Sequence, residues 1–213
     1  MSTFTVEGRR PLSGTIRVVG NKNEALPVIA ASLLCPEPVT LQNVPDIGDV
    51  RSMLEIASSL GVEVARSTSE ADVISIDAGR LLGSQLPTDA ACRIRASMLF
   101  ASSLLIRTGR ASIPQPGGDA IGLRRIDTHF LVFEALGAKL RIERSGPASN
   151  PSQVIYHLEA PHGLTGTEIY LDEASVTATE NALIAAAGAK GTTRIANAAS
   201  EPHVQGLCRF LQS

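Results

Sequence analysis

The chain has 213 residues, of which 44% are hydrophobic and 19% charged, a composition typical of a folded protein with one or two domains. Its formal net charge of -2 provides no general attraction to nucleic acid or to an anionic membrane surface,. We therefore expect neither of these as a partner, and an anionic ligand would have to bind at a local cluster of Lys and Arg.

The cysteines and the first residues indicate a cytoplasmic location. Cys35, Cys92 and Cys208 lack the spacing of a disulfide framework or of a zinc site, so we expect no metal and no cofactor,. No apolar run approaches the roughly 20 residues that span a bilayer, and the N-terminus lacks the basic and apolar regions of a signal peptide.

Three Ala-rich segments, at residues 25–34, 96–106 and 177–189, are predicted to be helices. They are apolar nearly all round, which is typical of helices that lie inside a domain, and we expect the sheets to lie outside them. Strands are predicted where β-branched residues dominate, at residues 15–19, 73–76, 154–158 and 168–171,. The sequence therefore predicts an α/β fold.

A second set of helices marks an internal repeat of strand, polar loop, helix and Leu-Gly,. The first has one apolar face and is closed by Gly61, and the second ends at Gly137,. The third follows Pro202 with the same spacing but reaches Ser213 before its Leu-Gly,. We therefore expect the chain to be a fragment with a truncated third repeat.

The loop at residues 116–122, PGGDAIG, combines two adjacent glycines with Asp119, and Arg124 and Arg125 follow. Glycines allow a tight turn with exposed amides, and two fixed positive charges suit an anionic ligand. The alternative is an ordinary Gly-Gly turn whose solvated Asp119 pairs with a nearby Arg.

Each apolar helix begins with residues that suit an anion. Lys22 and Asn23 precede the first, Arg95 the second and Ser175 the third, and free amides and the dipole at a helix N-terminus favour negative charge. The alternative is three ordinary capping loops. Because all three starts occupy the same point of the repeat, the fold could gather them on one rim.

Seven motifs, in order, resemble those of the UDP-N-acetylglucosamine 1-carboxyvinyltransferase family of enolpyruvyl transferases. They are GNKNEALP at 20–27, NVPDIGDV at 43–50, RAS at 95–97, PGGDAIG at 116–122, DTH at 127–129, SVTATEN at 175–181 and NAASEP at 197–202. The resemblance implies an EPSP synthase-like inverse α/β barrel of repeated βαβαββ-type units. It also implies a second domain that contains residues 1–20, with 21–213 forming most of the first.

The reaction implied by the resemblance is transfer of the enolpyruvyl group of phosphoenolpyruvate to the 3-hydroxyl of UDP-N-acetylglucosamine, the first committed step of peptidoglycan precursor synthesis. Lys22, Arg95 and Arg124 would hold phosphoenolpyruvate, and Lys22 and Arg124 would also be catalytic. The residues implied to contact the nucleotide substrate are Asn23, Arg124, Arg125, Asp127, His129, Ser175, Val176 and Thr177.

Asp119 stands where most members of the family have a cysteine, the residue that fosfomycin alkylates. The resemblance implies that the loop at 116–122 is a mobile lid and that Asp119 supplies a proton to C3 of phosphoenolpyruvate. Because a carboxylate is a poorer nucleophile than a thiolate, we expect the enzyme to resist fosfomycin.

Three other interpretations are compared with this one. The first, a 3-phosphoshikimate transferase, is disfavoured because that related family carries Lys-Ser where this chain has Lys22 and Asn23. Arg125 and Glu24 depart from the family pattern and allow a different uridine nucleotide as acceptor. A non-catalytic nucleotide-binding domain is the third interpretation. Since the family draws further residues from its second half, we expect the 213-residue chain to be inactive alone.

Overall fold

The computed structural model describes residues 3–118, 125–145 and 153–213. The first unit contains α1 (Lys22–Ser32), β1 (Val39–Leu41), α2 (Gly48–Ser59), β2 (Glu63–Arg66) and β3 (Ile74–Asp77). The second contains α3 (Thr88–Ala91), a 3₁₀ turn (Arg95–Leu99), α4 (Phe100–Thr108), β4 (Arg110–Pro114), α5 (Asp127–Ala135), β5 (Lys139–Ser145) and β6 (Gln153–Glu159). The third contains β7 (Glu168–Tyr170), α6 (Val176–Gly188), β8 (Arg194–Ala196) and α7 (Pro202–Gln212).

The sheets follow the repeat. In the first, antiparallel β3 lies between β1 and β2, and in the second, antiparallel β6 lies between β4 and β5. In the third, β7 and β8 pair in parallel, with α6 as the connection between them. The predicted α/β class and its repeated organisation are confirmed.

The three apolar helices α1, α4 and α6 pack against one another inside the domain, as predicted. Buried hydroxyls join them where their surroundings are otherwise apolar. Ser103 Oγ of α4 donates to the carbonyl oxygen of Ala30 in α1 at 2.6 Å, and Ser102 Oγ donates to Asn181 Oδ1 in α6 at 2.6 Å. Because a buried polar group is costly when unpaired, these bonds favour one relative placement of the helices.

Local signals in the sequence explain where the helices begin and end. The Asn21 side chain caps α1 by accepting the Asn23 amide at 2.9 Å, and Ser175 caps α6,. Gly61 and Gly137 follow α2 and α5 with φ of 92° and 98°, a left-handed conformation that glycine adopts without strain,. Pro202 occupies the first turn of α7,.

One local prediction was wrong, and one predicted helix differs in the form of its first turn. Residues 15–19 form no strand in the described part of the chain, because a strand needs a hydrogen-bonding neighbour, and the Ile16 and Val18 side chains are 89% and 84% exposed,. The helix predicted at 96–106 starts as the 3₁₀ turn and becomes α-helical at Phe100,. Among the described residues, no helix has both the length and the apolar character needed to cross a membrane.

Candidate functional site

The starts of the three interior helices meet at one cavity of about 200 Å³. Lys22 is the first residue of α1, Arg95 opens the 3₁₀ turn that leads into α4, and Thr177 is the second residue of α6. Asn23 and Gly118 also line it. Because the first amides of a helix have no intrahelical partner, the helix starts add partial positive charge to that of Lys22 and Arg95.

A second cavity of about 450 Å³ shares Arg95 and Thr177 with the first. Its other lining residues are Arg125, Glu173, Ala174, Ser175 and Val176. Thr177 therefore borders both spaces. Glu173 is the negatively charged residue of this lining, and its charge offsets part of the positive charge of Arg95 and Arg125.

Lys22 has a nearby carboxylate partner, since its Nζ lies 2.9 Å from Asp49 Oδ2. The two side chains are 48% and 41% exposed, and exposed pairs contribute little net free energy. An anionic ligand can therefore compete with Asp49 for the ammonium group. Arg95 is oriented by its Nη2, which donates to the backbone carbonyl of Arg125.

Arg125 is held by two carboxylates. Its Nη2 donates to Asp127 Oδ2 at 2.6 Å and also to Asp172, while Thr128 Oγ1 donates to Asp172 Oδ1 at 2.9 Å. Hydrogen bonding to Arg125 lowers the pKa of Asp127, and the two carboxylates raise the pKa of Arg125 above its usual range,. The structure thus ties the start of α5 to the segment after β7.

His129 lies behind Thr177, with 1% of its surface exposed. Its Nε2 lies 3.3 Å from Thr177 Oγ1, and its Nδ1 lies 2.8 Å from Asn181 Nδ2. Burial, followed by the positive charge of Arg95, lowers the pKa of His129 to about 3, so the imidazole is neutral at physiological pH,. The structure places this ring among buried polar groups and away from the cavity lining.

Asn181 and Ser102 were not identified as site residues from the sequence. Both are buried polar residues within apolar helices, and that anomaly is a signal, because such groups require partners. Their partners lie 52 and 79 residues away, so the sequence alone could not pair them.

Glu24 follows Lys22 and Asn23 in the sequence but points elsewhere. Its carboxylate lies against Gly206 of α7. Glu24 and Phe210 line a groove, and Lys22 is not among the residues that line it. The structure therefore separates Glu24 from the cavity at the helix starts.

Asp119 and Arg124 lie outside the described residues, as does the 119–122 part of the predicted lid. The base of that loop is anchored: the Gln115 amide donates to the Val154 carbonyl at 2.8 Å. A Cβ on Gly117 would stand 1.6 Å from the Cys92 carbonyl oxygen, so glycine is required by this close approach.

In the described ranges, no group of three or more His, Cys, Asp or Glu could hold a metal ion.

The repeated α/β units are those of the enolpyruvyl transferase fold. Residues 6–213 match the family model described as EPSP synthase (3-phosphoshikimate 1-carboxyvinyltransferase), and the chain belongs to that family.

Within the family, the similarity extends to particular curated enzymes. The chain is 49% identical to UDP-N-acetylglucosamine 1-carboxyvinyltransferase of Treponema pallidum over 100% of its own length and 47% of the relative's. The enzyme of the same name from Treponema denticola is 48% identical, over 99% and 46%. The chain thus spans about half the length of the curated relatives that it matches.

Solved structures agree on the fold. The enolpyruvyl transferase NikO from Streptomyces tendae superimposes with a TM-score of 0.75 at 25% identity, over 94% of this chain and 44% of that one. EPSP synthase from Acinetobacter baumannii gives a TM-score of 0.63 at 17% identity, over 90% and 42%. The second similarity shows the fold alone.

Proposed function

We propose that the protein transfers the enolpyruvyl group of phosphoenolpyruvate to the 3-hydroxyl of UDP-N-acetylglucosamine, with this chain providing one side of the substrate site. The carrying observation is that Lys22, Arg95 and Thr177, from three equivalent helix starts, line one cavity. The names of the relatives at 48% and 49% identity support the choice of substrates. In a cell, this reaction would be the first committed step of peptidoglycan precursor synthesis and would take place in the cytoplasm.

The two cavities suit the two anionic substrates. Lys22 and Arg95, with Arg124, would hold the phosphate and carboxylate of phosphoenolpyruvate, since cationic groups form strong, charge-assisted hydrogen bonds to such oxygens. The diphosphate of the sugar nucleotide would meet the first amides of α6 at Ser175, Val176 and Thr177,. Asn23, Arg125 and Asp127 would contact the rest of the nucleotide.

The chemistry requires one proton to be added and one to be removed. The carboxyl O–H of Asp119 would give its proton to C3 of phosphoenolpyruvate while the sugar hydroxyl oxygen bonds to C2 and loses its own proton to a base. In the second step a C3 proton leaves and the C2–O bond to phosphate breaks, which restores the double bond. Phosphate leaves with the electron pair of that bond.

Ligand titration tests the proposal. Amide chemical shifts of the 213-residue chain would be followed while UDP-N-acetylglucosamine, phosphoenolpyruvate or 3-phosphoshikimate is added. We expect saturable shifts at Ser175 and Thr177 with the sugar nucleotide, and shifts at Lys22 with phosphoenolpyruvate. Saturation by 3-phosphoshikimate, without any response to the sugar nucleotide, would contradict the proposal.

A second candidate is enolpyruvyl transfer to a different uridine nucleotide, and the observation that favours it is the engagement of Arg125 by Asp127 and Asp172. A guanidinium held in this way presents a different surface to uracil than a free one. UDP binding as tightly as UDP-N-acetylglucosamine would support this candidate, because the sugar would then contribute no affinity. Nucleotide binding without turnover by any longer form of the protein would support a non-catalytic role.

We further propose that residues 1–20 belong to a second domain. In the structure, apolar side chains along this segment are mostly solvent-exposed: Phe4 at 91%, Val6 at 86%, Leu12 at 97%, Ile16 at 89% and Val19 at 71%. Such a density of exposed apolar groups is typical of a segment that packs against another surface. Protection of the 3–19 amides from hydrogen exchange when a separately produced second half is added would test this.

A further inference from the structure

The orientation of the Asn181 side chain is fixed by its neighbours. Its Nδ2 lies 3.2 Å from the carbonyl oxygen of Met98, which can only accept a hydrogen bond,. Its Oδ1 lies 2.6 Å from Ser102 Oγ, whose single proton it shares with the backbone carbonyl oxygen of Asn181 at 2.8 Å,. The amide nitrogen therefore faces Met98 and His129, and the reversed orientation would bring two acceptors together at Met98.

This orientation determines which nitrogen of His129 carries the proton. Asn181 Nδ2 is a donor, so His129 Nδ1, at 2.8 Å, must accept and is unprotonated,. In a neutral imidazole the proton then lies on Nε2. That nitrogen is 3.3 Å from Thr177 Oγ1, so Nε2–H donates to the threonine hydroxyl.

The direction of these hydrogen bonds, from Asn181 through His129 to Thr177, determines what the Thr177 hydroxyl can do. Because Thr177 Oγ1 accepts from His129, its own hydrogen is not used in that bond and can point into the two cavities that Thr177 borders,. We infer that His129 and Asn181 are positioning residues that hold the Thr177 hydroxyl as a hydrogen-bond donor to a phosphoryl oxygen of the substrate. The inference rests on the proposed function.

The surroundings keep the imidazole neutral. His129 and Asn181 are 1% and 0% exposed. The positive charge of Arg95 also disfavours a second positive charge on the imidazole,. Asp127, which has the opposite effect, is itself engaged by Arg125. Both the burial and the charge balance therefore maintain the single-proton form that the chain of hydrogen bonds requires.

Two substrates could supply the phosphoryl oxygen. Thr177 shares one cavity with Lys22 and Asn23, and the other with Ser175 and Val176. The acceptor is therefore either the phosphate of phosphoenolpyruvate or the diphosphate of the sugar nucleotide. Both offer the same chemistry, and binding measurements with each ligand separate them.

The first experiment reads the tautomer without any ligand. The chain has four histidines, so ring ¹⁵N signals of labelled protein can be assigned to His129 by elimination with His157→Gln, His162→Gln and His203→Gln. We expect protonated Nε2 and unprotonated Nδ1, unchanged from about pH 5 to 8, the range in which an ordinary histidine titrates. Protonation at Nδ1, or titration in that range, overturns the inference.

The second experiment measures affinity for UDP-N-acetylglucosamine and for phosphoenolpyruvate, separately, by NMR titration. Thr177→Val should weaken binding of one or both by about tenfold, the typical loss of a hydrogen bond to a charged oxygen. Thr177→Ser keeps the hydroxyl and should stay within about threefold of the original affinity. Thr193→Val is the matched control, because within the described residues Thr193 Oγ1 is buried without a hydrogen-bond partner, and it lies in a different part of the molecule.

Asn181→Asp tests the direction of these hydrogen bonds at almost unchanged side-chain volume. Because it also places an acceptor opposite the Met98 carbonyl, the amide spectrum of the variant must first show that it folds,. The introduced carboxylate can only accept, so it draws the imidazole proton to Nδ1, and Nε2 then accepts from Thr177. The hydroxyl turns inward, and binding should weaken about tenfold. In the Thr177→Val background the same change should add less than about twofold, whereas simple charge repulsion would act equally in both backgrounds.

The outcomes are distinguishable. If the unsubstituted chain binds neither ligand, the proposed function fails. The inferred contact between Thr177 and a phosphoryl oxygen then fails with it. If it binds both and Thr177→Val leaves both affinities unchanged, this inference alone is overturned. Loss confined to one ligand identifies the phosphoryl group that Thr177 contacts. Equal losses from Asn181→Asp with and without the Thr177 hydroxyl overturn the roles of His129 and Asn181.

Discussion

The carboxylate of Glu24 in α1 occupies the space beside Gly206 in α7 where a side chain would otherwise begin. A Cβ on Gly206 would lie 2.1 Å from Glu24 Oε1 and 2.3 Å from its carboxyl carbon. The two helices approach each other through this pair, with Gly206 buried and Glu24 half-buried. The absence of a side chain at Gly206 is therefore what gives Glu24 its position.

Gly206→Ala is expected to depend strongly on Glu24. Alanine normally stabilises a helix interior by about 1 kcal/mol relative to glycine, but here the new methyl group displaces the carboxylate. The change should therefore be neutral or destabilising in the original chain and stabilising by about 1 kcal/mol in Glu24→Ala. Urea unfolding gives both free energies. Gly48→Ala, which meets nothing within 4 Å, should respond identically in the two backgrounds.

Glu180 makes stability depend on pH. Burial, followed by the negative charge of Glu201, raises the pKa of its carboxyl from 4.5 to about 8, and its Oε1 is buried without a hydrogen-bond partner in the described structure. Because the folded state holds this proton more tightly than the unfolded state, the contribution to stability is complete below about pH 4.5 and is lost progressively as pH rises to about 8,.

Glu180→Gln should remove this dependence. We expect the variant to be more stable than the original chain by at least about 2 kcal/mol at pH 8, with the difference shrinking toward zero near pH 4.5,. Urea unfolding across this range measures it, and Glu134→Gln, on the exposed face of α5, is the control. A difference that does not vary with pH would show that Glu180 is not protonated in the folded protein.

Arg107 links two units of the repeat through backbone carbonyls. Its Nη1 donates to Leu33 at the end of α1 at 2.8 Å, and its Nη2 donates to Ala78 after β3 at 3.0 Å. Arg107→Met keeps much of the side-chain volume but leaves both carbonyls without this partner, so it should lower the free energy of unfolding by about 2 kcal/mol. Arg110→Met, at an exposed position nearby, should change it by less than about 0.5 kcal/mol.

The 213-residue chain should release no phosphate from a mixture of phosphoenolpyruvate and UDP-N-acetylglucosamine. It spans 46% to 47% of its Treponema relatives, and positioning both substrates for reaction requires groups on all sides of them. A coupled phosphate assay, with the Treponema pallidum enzyme as positive control, measures this. Phosphate release in proportion to the concentration of the chain would refute the prediction.

The helices were the part of the fold that could be predicted, because their signals are local. Lys22, Ser175 and Pro202 mark helix starts, and Gly61 and Gly137 mark helix ends, within a few residues of where the structure has them,. The strand predicted at 15–19 failed for the opposite reason. Its β-branched residues suit a strand, but pairing depends on a neighbour that local sequence does not supply,.

The candidate site divides in the same way. The repeat placed Lys22, Arg95 and Ser175 at equivalent helix starts, and the structure gathers them around two adjoining cavities. What the repeat could not reveal was the layer behind them, in which Asn181 contacts His129 across 52 residues of sequence. Contacts of this kind depend on how helices from different units pack, and no local pattern encodes them.

The adjacent hydroxyls of Ser102 and Ser103 have a consequence for how the site can respond to ligands. Ser102 bonds to α6 and Ser103 to α1. A slide of α4 by one helical turn, about 5.4 Å, would break both bonds and leave both hydroxyls without partners in an apolar interior. The separation of Lys22 and Thr177 is thereby set before any substrate arrives. Any closure around the substrates must then come from segments other than these three helices.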